Sequence, residues 1–326
     1  MLLAEKLPVL VVVGPTAVGK TELAIKIAQL LDTEIISADS RQIYRKMDIG
    51  TAKPDKQDLA KVRHHLIDIV NPEDTYSLAL FQQDAFEVIN LLHGLKKVPM
   101  LVGGTGQYIR AVVQGWKPPE LEPDLQLRQR LEATAAQDGI EGLFAQLQEK
   151  DPVSANNIDP RNVRRVIRAL EVIMQTGKPF SSQRLIEEPK YRVIQIGLTR
   201  PRTELYQRID ERIDQMIQAG LLDEVQQILK EGCPENAPSM SAIGYREMVA
   251  VLHQKISIDE AVVLMKRATR NYVRRQANWF SLKDDSIHWF NMQKDTFTQV
   301  ARFLENDFAI KKLVNFRFYR SSNPIK

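Results

Sequence analysis

The sequence predicts an α/β protein: a parallel β-sheet covered by helices on both faces, with a small all-helical insertion. Short runs that are apolar throughout alternate with segments of helical periodicity, as in sheets that are buried on both sides. The stretch from Asp124 to about Gln175 instead places leucine, isoleucine and arginine at helix spacing, with no strand between. With 326 residues the chain exceeds one ordinary domain of roughly 150 residues. We therefore expect a core formed by residues 1–116 and 188–326 and an insertion formed by residues 117–187.

The core elements are expected as alternating strands and helices. The expected strands are Val9–Val13, Glu34–Ser37, Val98–Val102 and Tyr191–Leu198. The expected helices are Glu22–Leu31, a segment from Gln107, and longer ones at about Arg202–Gly220 and Asp259–Leu282. Proline and glycine clusters at residues 117–119 and 177–179 mark the two ends of the insertion, because these residues interrupt regular structure. The strand that follows the insertion is expected to rejoin the sheet.

The composition indicates a soluble globular protein. Hydrophobic residues make up 44% and charged residues 26% of the chain, which is enough apolar surface for a sizeable core. No apolar run reaches the ~18–20 residues of a membrane span, and residues 1–8 lack the features of a signal peptide. The single cysteine, Cys233, excludes a disulfide framework and a zinc site built from cysteines. We expect a cytoplasmic monomer.

Basic residues are clustered, although the formal net charge is only +4. Three blocks contain basic residues without any acidic residue: 161–168, 261–283 and 308–326. One such block taken alone is most often a solvated surface. Three blocks in one chain favour an anionic polymer, such as a nucleic acid, as a partner.

A phosphate-binding loop follows the first expected strand. Gly14-Pro15-Thr16-Ala17-Val18-Gly19-Lys20-Thr21 fits the pattern G-x-x-x-x-G-K-[ST] at every fixed position, with a strand before it and a helix after it. Glycines let backbone N–H groups curl around phosphate oxygens, the helix N-terminus adds positive potential, and Lys20 adds a full charge. The Thr21 hydroxyl is suited to bind Mg²⁺ that bridges the same phosphates. The loop predicts a diphosphate or triphosphate ligand without distinguishing between them.

The aspartate that holds Mg²⁺ in ordinary P-loop NTPases is missing from its usual position. The strand Val98–Val102 ends in Gly103-Gly104-Thr105 instead of in an aspartate. The nearest candidate acid is Asp39, which follows the second strand and so lies in the crevice where open α/β sheets bind ligands. Asp39 is therefore a candidate general base, with helix capping as the alternative role. The usual machinery for hydrolysis is incomplete.

Several segments resemble the tRNA dimethylallyltransferases, also called isopentenyl-diphosphate:tRNA transferases. The resemblance runs from about residue 8 to residue 290, and its most specific segments are Asp39–Tyr44 and Asp48–Pro54. The other matching segments are residues 14–21, 64–68, 101–105, 168–172, 243–246 and 274–280. The resemblance implies a core similar to P-loop NTPases and nucleotide kinases, in which the P-loop binds a diphosphate leaving group.

The resemblance also implies a reaction. A dimethylallyl group is transferred from dimethylallyl diphosphate to N6 of the adenosine immediately 3′ of the tRNA anticodon. By this resemblance Asp39 takes the N6 proton, and Thr105 hydrogen-bonds near the transferred carbon and the diphosphate. A carboxylate suits this step, because an exocyclic adenine amine is a poor nucleophile until its proton is removed.

The leaving diphosphate is expected to meet concentrated positive charge. Its ligands by this resemblance are the loop residues Gly14, Pro15, Thr16, Ala17, Val18, Gly19, Lys20 and Thr21, with Mg²⁺ as cofactor at the threonine. Arg212 resembles the family arginine that completes this set. Its alternative is a solvated helix arginine paired with Asp210 or Glu211.

The anticodon stem-loop of tRNA is the expected partner. The residues that the resemblance assigns to tRNA binding are Asp39, Ser40, Arg41, Gln42, Thr105, Arg128, Arg164, Arg165, Arg168, Ser241, Ile243, Gly244, Tyr245, Arg246, Arg274, Arg275, Gln276 and Trp279. The target adenosine must leave its stacked loop to reach the candidate base, so we expect base flipping.

Helical spacing within residues 261–283 predicts two faces. Met265, Ala268 and Tyr272 form a stripe towards the core, and arginines 267, 270 and 274 lie on the opposite, solvent face. Trp279 could stack on an unpaired base, although a tryptophan taken alone is expected in the core. His64 and His65 are expected to be structural residues that precede a strand, and not metal ligands.

Two other functions remain open at the level of the sequence. A small-molecule P-loop enzyme, either a nucleotide kinase or an adenylate isopentenyltransferase, would need neither the arginine face nor the insertion. An RNA-binding NTPase would hydrolyse ATP and should carry the aspartate that this chain lacks after Val98–Val102. Transfer of label from dimethylallyl diphosphate to tRNA or to AMP would separate these alternatives.

Overall fold

The computed structural model describes residues 6–117, 124–183, 185–307 and 310. Its strands are β1 Pro8–Val13, β2 Ile35–Ala38, β3 His64–His65, β4 Met100–Gly103, β5 Trp116–Lys117, β6 Leu185–Ile186, β7 Arg192–Thr199 and β8 Ile287–Asn291. Six of them form one parallel sheet in the order β3-β2-β4-β1-β7-β8. The α/β fold with a parallel sheet is therefore confirmed, and the strand after the insertion, β7, pairs with β1.

The helices are α1 Lys20–Leu30, α2 Lys56–Lys61, α3 Leu78–Gly94, α4 Gly106–Val113, α5 Leu125–Asp138, α6 Glu141–Lys150, α7 Pro152–Asn157, α8 Val163–Thr176, α9 Arg202–Gln218, α10 Leu221–Lys230, α11 Tyr245–Leu252, α12 Ile258–Trp279 and α13 Thr296–Asn306. Strands and helices together form two compact units. The first unit runs up to Val113 and resumes at Pro189, and the second is Gln114–Glu188.

The parallel sheet has an apolar core on each face. Alternate residues of β1 point to opposite sides, so Leu10 and Val12 join one cluster with Ile209 of α9, and Val11 joins the other with Phe81 of α3. All five side chains are almost completely buried, and each contributes about 1.5–3 kcal/mol through removal of apolar surface from water. Helices on both faces explain why these strands are apolar throughout.

The register of the sheet fixes where its loops meet. Gly103, at the end of β4, lies beside Val13 of β1 on one side and beside Ala38 of β2 on the other. The segments that leave these strands therefore start at one edge of the sheet. These segments are the phosphate-binding loop, the turn after β2 and the turn after β4, and all three were expected to carry site residues.

The unit Gln114–Glu188 contains helices α5 to α8 and an apolar cluster of its own, which includes Leu143, Leu147 and Leu170. The long stretch expected to be helical is divided into four helices. Gly139, with a φ of 84°, ends α5, and Asp151 caps the start of α7 directly after α6. The insertion is also not wholly helical. Strands β5 and β6 pair in antiparallel register and so satisfy each other's backbone groups.

Other differences from the sequence are local. His64 and His65 do not precede a strand but form β3 itself, paired with β2. The expected boundary prolines at 118–119 lie outside the described residues, as does the third basic block, 308–326, except for Ile310. Among the helices of the described part of the chain, none is long and apolar enough to cross a membrane.

Candidate active site

The phosphate-binding loop connects β1 to α1 through residues that require unusual backbone angles. Gly14 has a φ of 150° and Gly19 a φ of 107°, and Ala17 lies in the left-handed region at 62°. A Cβ at position 14 would lie 2.7 Å from the Leu198 carbonyl oxygen. Helix α1 begins at Lys20, so its first backbone N–H groups and the positive end of its dipole face the loop. This is an anion-binding conformation.

The carbonyl oxygens of this loop are held by cationic side chains. Lys20 Nζ donates to the carbonyls of Gly14 and Pro15, at 2.9 and 2.8 Å. Arg208 Nε donates to the Ala17 carbonyl and Arg200 Nε to the Val18 carbonyl, each at 2.9 Å. These bonds keep the loop in its curled conformation and concentrate positive charge around it.

Lys20 and Arg212 share this electropositive environment. The pKa of Lys20 is lowered to about 8, chiefly by burial, with the charge of Asp39 acting in the opposite direction and the charge of Arg212 adding to the decrease. Burial also lowers the pKa of Arg212, with a further contribution from Arg208. Two groups whose charge is disfavoured by burial and by like charges are stabilised by an anion. The geometry therefore favours a phosphate-bearing ligand.

Asp39 lies in the turn after β2. Its Oδ1 accepts a hydrogen bond from the Arg41 backbone N–H at 2.9 Å, and the residues that follow form a turn and no α-helix. Asp39 therefore stabilises a turn and does not cap a helix. Its carboxylate lines a cavity of about 50 Å³ together with Lys20 and Thr21. The sequence placed these three residues in one crevice, and the structure brings them together.

Thr105 joins the turn after β4 to the turn after β2. Its backbone N–H donates to the Ala38 carbonyl at 3.2 Å, and its Oγ1 accepts from the Ser40 N–H at 3.1 Å. The Tyr272 side chain lies close to Thr105, and burial, followed by the negative charge of Asp39, raises the pKa of this tyrosine to about 12. The hydroxyl of Thr105 is thus fixed next to the candidate base.

The cavity fits a magnesium ion that is held partly by the protein and partly by the phosphates of a bound substrate. The Thr21 hydroxyl lines the cavity beside Lys20, and an oxygen ligand of this kind suits Mg²⁺. Within the described ranges of the chain, no group of three or more His, Cys, Asp or Glu side chains is arranged to hold a metal ion. Mg²⁺ is commonly bound through one or two side chains plus substrate phosphates.

The expected tRNA residues that follow Asp39 are all partly buried. Arg41 donates to the Pro238 carbonyl at 2.7 Å and to Ser241 Oγ at 3.1 Å, which connects two of the expected tRNA regions. Gln42 Nε2 lies 3.4 Å from the Thr51 carbonyl. Ser40 is partly buried at the same turn.

The expected tRNA segment 241–246 is mostly turned into the protein. Tyr245 is 0% exposed, and its hydroxyl donates to Glu224 Oε1 at 2.6 Å. Gly244, the residue before α11, has a φ of 97°, and Ile243 is partly buried. Arg246 is exposed and pairs with Glu247 at 2.6 Å. Of these four residues, Arg246 offers the most accessible side chain.

The arginines of α12 do not all face solvent. Arg267, Arg274 and Arg275 are exposed, as the helical spacing predicts for the first two. Arg270 instead pairs with Asp210 of α9 at 2.5 Å and lies over the ring of Tyr206. The expectation that Arg270 belongs to the solvent face is wrong, because α9 packs on that side of α12 and supplies a carboxylate.

Two other expected tRNA residues of α12 face inward. Gln276 is 3% exposed, and Trp279 is partly buried beneath Arg110, whose guanidinium carbon lies 5.0 Å from the ring centroid. In the unit Gln114–Glu188, Arg128 and Arg168 both bind the fully buried carboxylate of Glu171, at 2.8 and 2.9 Å. The remaining two expected arginines of this unit, 164 and 165, are exposed.

Sequence reasoning did not find three residues that shape this site: Arg200, Arg208 and Tyr272. A signal existed for Arg208, since it lies four residues before Arg212 and therefore on the same helix face. None existed for the other two, because their contacts with the loop and with Thr105 join distant parts of the chain. The sequence also did not indicate that His64 lines the cavity; its Nδ1 lies 2.9 Å from the Val62 carbonyl.

Comparisons with known proteins agree on one family. The family model for IPP transferase matches residues 42–283, and a model for isopentenyl transferase matches residues 7–73. A tRNA dimethylallyltransferase of Roseiflexus castenholzii is 51% identical over 274 residues, which is 84% of this chain and 90% of the relative. One of Thermomicrobium roseum is 46% identical over 298 residues, 91% of this chain and 90% of the relative.

Solved structures give the same result. The tRNA isopentenylpyrophosphate transferase of Bacillus halodurans is 38% identical with a TM-score of 0.69, covering 94% of this chain and 98% of that protein.

Proposed function

The chain belongs to the tRNA dimethylallyltransferase family, and we propose that its donor is dimethylallyl diphosphate and its acceptor N6 of the adenosine immediately 3′ of the anticodon. Isopentenylation of tRNA is the activity of the family, and the small-molecule and NTPase alternatives are not favoured. The observation that carries the more specific proposal is the shared cavity of Lys20, Thr21 and Asp39. It combines a phosphate site with a candidate base.

The phosphate loop supplies the charge for the departing diphosphate. As the bond between the allylic carbon and the bridging oxygen breaks, its electron pair leaves with the diphosphate. Lys20, Arg212 and the first N–H groups of α1 stabilise this negative charge, because they are already oriented and largely removed from water. Bound Mg²⁺, held by Thr21, would add positive charge at the same phosphates.

Asp39 and Thr105 act on the acceptor in this proposal. The N6 nitrogen forms its bond to the allylic carbon while Asp39 takes one N6 proton. Thr105 is held next to Asp39 by the Ser40 N–H, so its hydroxyl is fixed for contact with the reacting groups. Proton, electron pair and leaving group are all accounted for by residues around one cavity.

Exposed arginines provide the tRNA affinity in this proposal. On α12 these are Arg267, Arg274 and Arg275, and on α8 they are Arg164 and Arg165. Cationic side chains displace counterions from phosphates and bind without reading the sequence. The acceptor base must be flipped out of its stack, as in other enzymes that modify bases. Because tRNA is the acceptor, we propose that the chain acts in the cytoplasm.

Replacement of the candidate base tests this function. Asp39→Asn keeps the side-chain shape and should lower kcat by about 10²–10⁴ while the Kd for tRNA changes little. Asp32→Asn is the matched control, because Asp32 is 98% exposed and asparagine tolerates its positive φ of 47°. Near-normal turnover by Asp39→Asn would reduce Asp39 to a turn-stabilising residue.

The donor is tested by labelling. Dimethylallyl diphosphate that carries a radiolabel in its allyl group is incubated with the enzyme and either tRNA or AMP. We expect label in tRNA alone, lost when the tRNA lacks an adenosine 3′ of the anticodon. Label in AMP would favour a small-molecule transferase, and product formation that consumes one ATP per transfer would contradict the diphosphate donor.

A further inference from the structure

We propose that Gln276 is a positioning residue that holds the two turns of the candidate active site together, and is not a tRNA contact. Its Oε1 accepts a hydrogen bond from the Thr16 backbone N–H at 2.9 Å, in the phosphate loop. Its Nε2 donates to the Gly104 carbonyl at 3.0 Å, in the turn that carries Thr105. One amide therefore bridges the segment assigned to the leaving group and the segment assigned to the acceptor.

Gln276 belongs to a stripe on the inner face of α12. Tyr272, Gln276 and Trp279 are spaced by four and three residues, so they lie on one side of the helix. Tyr272 lies close to Thr105, Gln276 donates to the Gly104 carbonyl, and Trp279 packs against Gly106. Each residue of the stripe contacts a different residue of the same turn. Helix α12 therefore contacts residues 104, 105 and 106 and holds the turn at each of them.

The turn is made of glycine where the stripe approaches it. A Cβ at Gly104 would lie 2.3 Å from Gln276 Nε2, and one at Gly106 would lie 2.2 Å from Trp279 Cγ. Real Cβ atoms do not come so close to other heavy atoms, so a side chain at either position would force Gln276 or Trp279 to move. These glycines leave the space that the side chains of α12 occupy. The close approach is a built feature of the turn.

The burial of Gln276 makes both hydrogen bonds necessary. Gln276 is 3% exposed, so water has little access to its amide. If either hydrogen bond is lost, both the amide and its former backbone partner are left buried without a hydrogen bond. The Thr16 N–H is also committed to Gln276, which fixes one peptide of the phosphate loop before any ligand arrives. A displacement of about 1 Å at such a site costs roughly 10²-fold in rate.

The experiment compares three variants of the full chain. Gln276→Glu keeps the shape but, when ionised, loses the donor to the Gly104 carbonyl. Gln276→Met keeps the volume and loses both hydrogen bonds. Gln218→Glu, at an exposed position at the end of α9, is the control for the same chemical change. For each, we would measure the Kd for tRNA by filter binding, the Kd for inorganic diphosphate with Mg²⁺ by calorimetry, and kcat and KM.

We expect both Gln276 variants to lose about 10–100-fold in kcat/KM for the prenyl diphosphate, with weaker binding of inorganic diphosphate and a tRNA Kd within about twofold of wild type. Burial raises the pKa of an introduced carboxyl group, and its neutral form can again donate to the Gly104 carbonyl. The activity of Gln276→Glu relative to wild type should therefore recover as the pH falls, and that of Gln276→Met should not.

Two results would overturn the inference. One is a weaker tRNA Kd with unchanged diphosphate binding, since that pattern belongs to a tRNA contact. The other is a loss that shows no recovery of Gln276→Glu at low pH. The inference rests on the proposed diphosphate donor, and the two can fail separately. If wild-type enzyme binds inorganic diphosphate but does not use dimethylallyl diphosphate, the donor is wrong, and the calorimetry still decides the role of Gln276.

Discussion

Two glycine-containing turns form the candidate active site, and they use glycine for different physical reasons. In the phosphate loop, Gly14 and Gly19 adopt φ values of 150° and 107°, which side-chain-bearing residues rarely reach. Around the turn after β4, Gly103 at the end of the strand, Gly104 in the turn and Gly106 at the start of α4 have φ outside this region, and what they provide is space. A Cβ on any of these three would come within 2.1–2.3 Å of another part of the chain.

The difference explains why one turn could be recognised from sequence and the other could not. A backbone conformation is encoded locally, so the phosphate loop has a spacing motif of its own. Space is imposed by whatever packs against the turn, which here is Ala38 of β2 and the side chains of α12. The function of the second turn is therefore understood only when α12 is in place.

Removal of the lysine charge from the phosphate loop should cause the largest loss of activity and so tests the difference between the two turns most directly. Lys20→Met removes the charge that faces the leaving group, and we expect kcat/KM for dimethylallyl diphosphate to fall by about 10³-fold, as for loss of a transition-state donor. Thr105→Val, in the other turn, removes one hydroxyl and should cost about tenfold. Steady-state kinetics at saturating tRNA measures both. Equal losses would mean that the two turns do not divide the work between leaving group and acceptor.

Filling the space beside α12 should destabilise the fold instead. Gly106→Ala places a methyl group against Trp279, and we expect a loss of about 1–3 kcal/mol in the free energy of unfolding, as in other overpacked cores. Gly94→Ala is the matched control, because no atom lies within 4 Å of a Cβ at that helical position. It should stabilise the protein by about 0.4–1 kcal/mol. Denaturant titration measures both changes, and a neutral Gly106→Ala would remove the space argument.

Much of the fold was predicted from local patterns. The parallel sheet and the family are confirmed, and the strands starting near residues 8, 35, 100 and 192 lie within two residues of their expected starts. Helix α3 was missed although Phe81, Ala85, Ile89 and Leu92 form a buried stripe at helical spacing. Strand β8 was missed because a short run, Ile287–Asn291, carries little signal of its own.

The supports of the site could not be predicted in the same way. Arg200, Arg208 and Gln276 contact the phosphate loop across 182, 191 and 260 residues of sequence. Helical periodicity assigns Arg208 and Gln276 each to a face of its helix, but it does not say what that face meets, and Arg200 lies between β7 and α9, where no periodicity applies. The assigned roles of the catalytic and tRNA-binding residues stay predictions, which the substitutions described here test.

The affinity for diphosphate should depend on pH, because burial disfavours the charged form of Lys20 in the free enzyme. The pKa of Lys20 is lowered to about 8, mainly by burial, so the free enzyme carries its charge below pH 8 and loses it above. A bound diphosphate raises this pKa, because it favours the charged form. Affinity should therefore be constant below about pH 7 and fall by roughly tenfold per unit above pH 8, with proton uptake on binding. Calorimetry with a prenyl diphosphate from about pH 6.5 to 9.5 checks this, and Lys20→Met should abolish the dependence.

The smallest effect is expected on the outer face of α12, whose inner face supports the second turn. Arg267, Arg274 and Arg275 are exposed there. Each of them that contacts a tRNA phosphate releases a counterion from the RNA, which favours binding at low salt. Changing all three to alanine should flatten the slope of log K against log[salt] for tRNA by roughly 2–3. Diphosphate binding should not change, since the phosphate loop is contacted by the inner face.

Arg270→Ala is the control on the same helix: its side chain pairs with Asp210, so it should lower stability and leave the slope nearly unchanged. If Arg270→Ala flattened the slope as much as the triple variant, the division of α12 into a face for the loop and a face for tRNA would be wrong.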